Sequence, residues 1–147
     1  MSLETLETQV QDFEKMDNSQ RIKALIELAQ NASKLEPQHG ETWDISEIRQ
    51  DQECLDEMGL YLRHNQNTLE LAATVGSEAT TLTRALTAVL IEHLNGETPA
   101  RILELKDGFV PRLVGESLLR QRRNAAYYPL RRVQDAVKHL LEGKSIG

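Results

Sequence analysis

With 147 residues, 39% of them hydrophobic and 4% aromatic, the chain is long enough for one ordinary core that buries roughly two thirds of its unfolded surface. Its 23 acidic against 17 basic residues leave a net charge of −6, which argues against holding nucleic acid by phosphate neutralisation and equally against an acidic lipid surface. A single cysteine forbids an internal disulfide and suits a reducing compartment, so the cytoplasm is the expected location.

The start, "MSLETLETQVQDFEKM", has neither the basic-then-apolar pattern of a secretory signal nor the Arg-rich, acid-poor character of a transit peptide. No stretch reaches the roughly 18 apolar residues of a membrane span. Leu3 to Phe13 is weakly amphipathic. Asp17, Asn18 and Ser19 then offer caps to a helix with Ile22, Leu25, Ile26 and Ala29 at helical spacing. Pro37, His39 and Gly40 interrupt it, so residues 36–47 read as a connecting loop with Trp43 as a packed anchor.

The loop leads to "IRQDQECLDEMGLYLRHN", residues 48–65, which holds the only thiol, Cys54, among Asp51, Glu53, Asp56 and Glu57. Core filler would have apolar neighbours at a fixed period, and a self-activated nucleophile would have cations or a helix N-terminus nearby. Neither pattern is present. Beyond it, "LYL" and "LEL" alternate around "RHNQN", the period of two short antiparallel strands joined by a turn, which leaves Cys54 in a loop just before a strand.

Leu82, Ala85, Leu86, Val89, Leu90 and Leu94 form the stripe of a central helix that ends at Asn95 and Gly96. Thr98 and Pro99 restart a short helix as cap and first helical residue. Phe109, Val110 and Leu113 suggest one further turn. A last helix is expected to start near Pro129, present Leu130, Val133, Val137, Leu140 and Leu141 to the core, and end at Gly143. The sum is an α+β fold, a small antiparallel sheet packed against several helices, in a single domain. Residues 1–17 are expected to be a helical extension and 18–142 the core.

His39, His64, His93 and His139 are scattered, and one cysteine cannot complete a structural zinc site, so no metal is expected. His93, near a helix end, is placed to satisfy its carbonyls. There is no glycine-rich phosphate loop, nucleophile elbow or zinc-protease helix, and no cofactor is expected. The basic run Arg120, Arg122, Arg123, Arg131 and Arg132 has two readings: a solvated helix face with local ion pairs, or a guanidinium cluster that docks a partner's carboxylates or contacts the Cys54 loop. Tyr127 and Tyr128 are expected to be packed or rim residues.

The chain from about Asn18 to Glu142 resembles the SufE family, sulfur-acceptor partners of cysteine desulfurases in iron–sulfur cluster assembly. The resemblance is carried by "QRIKALIELA", by a single cysteine before a hairpin, and by "LTRALTAVLIEHLNGETPARILEL" continuing to "FVPRLVGESLLRQRRN". "LLRQRRNAA" is similar to the family's arginine and asparagine stretch before its last helix. Many members carry Gly before the cysteine, Ser two residues after it and an aromatic five after it, where this chain has Glu53, Asp56 and Gly59; Ala125 replaces a frequent glycine.

The resemblance implies that Cys54 accepts a persulfide sulfur from a pyridoxal-phosphate-dependent cysteine desulfurase and passes it towards a cluster scaffold. The chain would then be a sulfur-transfer accessory protein rather than a stand-alone enzyme. Arg122, Arg123, Asn124, Glu53 and Asp56 are the candidates for binding that partner or stabilising the cysteine loop. The carboxylates would keep the thiol protonated until docking reverses the local field. Two rivals remain at this point: a non-catalytic adaptor in which Cys54 is incidental, and a thiol redox enzyme, which would need a resolving thiol from elsewhere and a low pKa.

Overall fold

The computed structural model describes residues 3–51, 54–77 and 79–143, with the side chains of 51–56 outside that description. The described residues form helices α1 (Leu3–Glu14) and α2 (Asn18–Gln30), strands β1 (Ile45–Asp51), β2 (Cys54–Asn65) and β3 (Thr68–Val75), then helices α3 (Thr81–Leu94), α4 (Pro99–Glu104), α5 (Phe109–Val114), α6 (Glu116–Gln121) and α7 (Arg123–Leu141). A short 3-10 turn, Ala32–Leu35, follows α2.

The caps act where the sequence puts them. Asp17 accepts from the Gln20 amide at 2.8 Å while the Gln20 side chain accepts from the Asp17 amide at 3.0 Å, a closed capping box at the start of α2. Thr80 caps α3, and Thr98 caps α4 with Pro99 at its first position, where the missing amide donor costs nothing.

The sheet is antiparallel in the order β1-β2-β3. Leu62 faces Leu71 and His64 faces Leu69 across the β2–β3 hairpin, whose turn places Gln66 in the left-handed region at φ 59°. Met58, Leu60 and Leu62 of β2 and Leu69, Leu71 and Ala73 of β3 point one way and are buried, as the two-residue period requires. On that face lies α3, with eleven of its fourteen residues buried; α2, α7 and β3 all pack against it, which makes it the central helix. The first helix packs on α5 and α3 through Leu6, Val10 and Phe13.

Three expectations need correction. The connecting loop does not run to residue 47: a third strand, β1, begins at Ile45 and pairs with β2 from Ile45↔Leu62 onwards. Strand β2 begins at Cys54 itself rather than after it. Finally, α7 begins at Arg123, and Pro129 lies inside it.

Candidate functional site

Cys54 is the first residue of β2, at the end of the sheet where β1 finishes. Its backbone faces Asp51, and the register shifts between Gln50 and Asp51, since Gln50 already faces Glu57. Such irregularities bend a strand locally and re-aim what it carries. Glu53 lies outside the described residues, as do the side chains of Asp51, Cys54 and Asp56.

The β3–α3 connection joins the hairpin at this end of the sheet. Gly76 donates its amide to the Glu57 carbonyl at 2.9 Å, and Arg84 of α3 donates to the Gly76 carbonyl at 2.6 Å. Thr80 and Thr81, a few residues on, line a groove of about 280 Å³ together with Ile22, Ile26, Leu118 and the side chain of Arg122. Thr80 and Thr81 of that groove follow Gly76, the partner of Glu57, by four and five residues.

The neighbouring residue looks elsewhere. Arg123 lies 5.0 Å over the Tyr127 ring and, with Asn124, Tyr127, Tyr128, Arg131 and Asp107, lines a cleft of about 380 Å³. Arg131 lies 5.2 Å from the Tyr128 ring. The candidates Arg122, Arg123 and Asn124 therefore sit together at the α6–α7 junction, but the two arginines serve different surfaces.

Arg132 departs from both readings of the basic run as a surface feature, because it is 0% exposed. Its Nη2 donates to the Glu47 carbonyl at 3.0 Å, and its Nη1 to the Arg49 carbonyl at 3.2 Å and to the Tyr128 hydroxyl at 3.1 Å. The Glu47 carboxylate, 1% exposed, takes Arg49 Nη1 at 2.8 Å and sits 2.9 Å from His139 Nδ1. Asp135 closes the group by accepting from Arg49 Nη2 at 3.2 Å. A buried carboxylate is tolerable only with such partners.

Glu47 was not picked out from the sequence, and Arg132 was read there only as one member of the basic run. A signal existed for Arg132: Tyr128, Arg132 and Ala136 recur at four-residue spacing on the buried face of α7, so an arginine there needs a buried partner. His93 also differs from expectation. It binds side chains of α1, with Nδ1 2.8 Å from Thr5 Oγ1 and Nε2 2.7 Å from Gln9 Oε1, rather than helix-end carbonyls.

No described helix is long and apolar enough to cross a membrane. Among solved structures the chain is similar to a hypothetical protein from Thermus thermophilus, with 24% identity and a TM-score of 0.66 over 93% of this chain and 96% of that one. It is also similar to the N-terminal part of a nitrogen-fixing NifU-like protein from Brucella abortus, with 18% identity and a TM-score of 0.60 over 80% of this chain and 92% of that one. Those likenesses carry the fold, an α+β arrangement with one three-stranded antiparallel sheet. Among curated proteins none matches the sequence. A family model, the SufE Fe-S metabolism associated domain, matches residues 7–137, and the chain belongs to the SufE family.

Proposed function

We propose that the chain is a sulfur acceptor: Cys54 takes sulfane sulfur from a cysteine desulfurase persulfide and passes it to iron–sulfur cluster assembly. The observation that carries this reading is the position of the only cysteine, at one end of the sheet of a SufE-family domain. A residue at the end of a sheet can enter a partner's cleft, whereas one in the middle of the sheet could not.

The step balances without an oxidant. The Cys54 thiolate attacks the outer sulfur of the partner's persulfide, a new S–S bond forms on Cys54, and the partner's inner sulfur leaves as its thiolate. The proton lost from Cys54 is the only one that has to be carried away. Carboxylates in the surrounding sequence oppose thiolate formation, so the thiol is quiet in isolation and activated when basic partner groups reverse the field. No cofactor of this chain's own is required, because pyridoxal phosphate belongs to the desulfurase. The cytoplasm is the compartment in which such a thiol stays reduced. In this reading residues 1–17 are an extension latched onto a core of residues 18–142.

The test is to incubate the protein with a cysteine desulfurase and free cysteine, then weigh the peptide that holds Cys54. Added sulfur that depends on the desulfurase supports the reading. An unmodified peptide with several desulfurases would leave a docking adaptor in which Cys54 is incidental.

A further inference from the structure

β1 is an edge strand, and one side chain of α7 ties its backbone down. The Gly76 amide donates to the Glu57 carbonyl at 2.9 Å and the His64 amide to Asp44 Oδ2 at 2.7 Å, which fixes the alternation: the backbone groups of Glu57, Gly59 and Tyr61 face β3, so those of Met58, Leu60 and Leu62 face β1 and form the hydrogen-bonded pairs with Arg49, Glu47 and Ile45. The Glu47 and Arg49 carbonyls also accept from Arg132, at 3.0 and 3.2 Å. That guanidinium is fully buried, with its Nε 3.7 Å from Glu47 Oε1 and the Tyr128 hydroxyl orienting Nη1.

The clamp sits just before the Cys54 end of the sheet. Glu47 and Arg49 lie on β1, which ends at Asp51, and Asp51 faces Cys54. We propose that Arg132 is a positioning residue for sulfur acceptance, fixing β1 to α7 so that Cys54 is held in place when a partner's persulfide approaches. The proposal rests on the sulfur-acceptor reading. Direct transfer between two sulfurs is sensitive to placement, and about 1 Å of misplacement can cost about a hundredfold in rate.

Arg132→Lys separates clamping from charge compensation. The ammonium still faces Glu47 but cannot span two carbonyls as the guanidinium fork does. Amide exchange at Glu47, Arg49 and Leu60 should become about tenfold faster, with Leu69 and Leu71 of β3 unchanged. Sulfur loading on Cys54 should slow about tenfold while the dissociation constant for the desulfurase stays within about twofold, the split expected of a lost alignment. Tyr128→Phe, which keeps the buried ion pair, should move both readouts the same way by about threefold, and it remains decisive should Arg132→Lys not fold. Unchanged β1 exchange in these variants, or faster exchange with wild-type loading, would overturn the proposal. If the wild-type protein takes no sulfur, the acceptor reading fails by itself. The clamp is then judged by Cys54 alkylation with iodoacetamide: a rate about threefold faster in the variants supports it, and an equal rate overturns it.

Discussion

Arg112 and Glu7 meet fork to fork, with Nη1 donating to Oε1 at 2.9 Å and Nη2 to Oε2 at 2.7 Å. The same guanidinium reaches Glu14 through Nε at 3.1 Å and Nη2 at 2.9 Å, so one side chain of α5 holds two carboxylates of α1. Hydrogen bonds from Arg112 keep both carboxyls below their ordinary value of 4.5. A lowered folded pKa means stability that is present above the ordinary value and lost as pH falls through the folded one. Arg112→Met should therefore melt at a lower temperature than the wild type near neutral pH, and the gap should close as the pH is taken from about 4.5 downwards. Thermal melts across that range check this; a gap that persists in acid would mean that Arg112 acts through packing. Added salt should narrow the gap as well, since both partners are solvent-accessible.

Gly59 leaves no room for a side chain. A Cβ there would collide with Thr74 Oγ1 and come within 3.0 Å of Ile48 Cγ1, because the neighbouring strands close over it. An aromatic at this position, the pattern of many family members, has no place in this register. Gly59→Ala should destabilise the protein by about 1–3 kcal/mol, and adding Thr74→Ala should restore most of that loss. Chemical denaturation of the single and double variants measures it. A double variant no better than the single would show that the strain lies in the backbone.

The same sheet shows where the sequence was readable. Strands β2 and β3 were legible because Leu60, Leu62, Leu69 and Leu71 alternate with polar residues, the signature of a half-buried pleat. β1 was hidden because its pattern is inverted: Glu47 occupies a buried position while Ile48 is 56% exposed. Its partners explain this, since Arg132 and His139 of α7 together with Arg49 make a buried Glu47 tolerable. The start of α7 was misplaced for a related reason. Pro129 suits a first helical position, yet packing of Ala125, Ala126 and Tyr128 holds the preceding turns in helix and overrides that preference. Of the candidate site, Cys54 and the Arg122–Asn124 stretch were legible through family resemblance. The clamp was not, because it joins residues 85 positions apart.

Trp43 buries its indole N–H without a hydrogen-bond partner, while Arg63 lies 4.2 Å over the ring and Tyr61 6.1 Å away. An unmade buried hydrogen bond costs about 1–3 kcal/mol, so the nitrogen opposes what the ring contributes. Trp43→Phe should change stability by less than about 1 kcal/mol, whereas Trp43→Ala should lose about 2 kcal/mol because the cation–π contact and the packing disappear together. Urea denaturation followed by circular dichroism separates the two, and equal losses would show that the nitrogen is satisfied in solution.

Arg122 and Arg123 are adjacent in sequence but are expected to fail differently when removed. Arg122 reaches the groove beside Thr80 and Thr81, on the connection that hydrogen-bonds Glu57, whereas Arg123 stacks on Tyr127 and faces the cleft with Asp107. If a desulfurase docks over Cys54 and this groove, Arg122→Ala removes a guanidinium from the docking face. Its affinity for the desulfurase should fall about tenfold, with a weaker salt dependence of association, as for a charge that steers and anchors a complex. Arg123→Ala should change affinity by no more than about threefold, since its stacked guanidinium is already engaged within the chain. Stopped-flow association at two ionic strengths, followed by sulfur loading of Cys54 at saturating desulfurase, distinguishes a docking role from a transfer role. Wild-type values in both variants would return the pair to ordinary surface, and a larger loss in Arg123→Ala would move the docking face from the groove to the cleft.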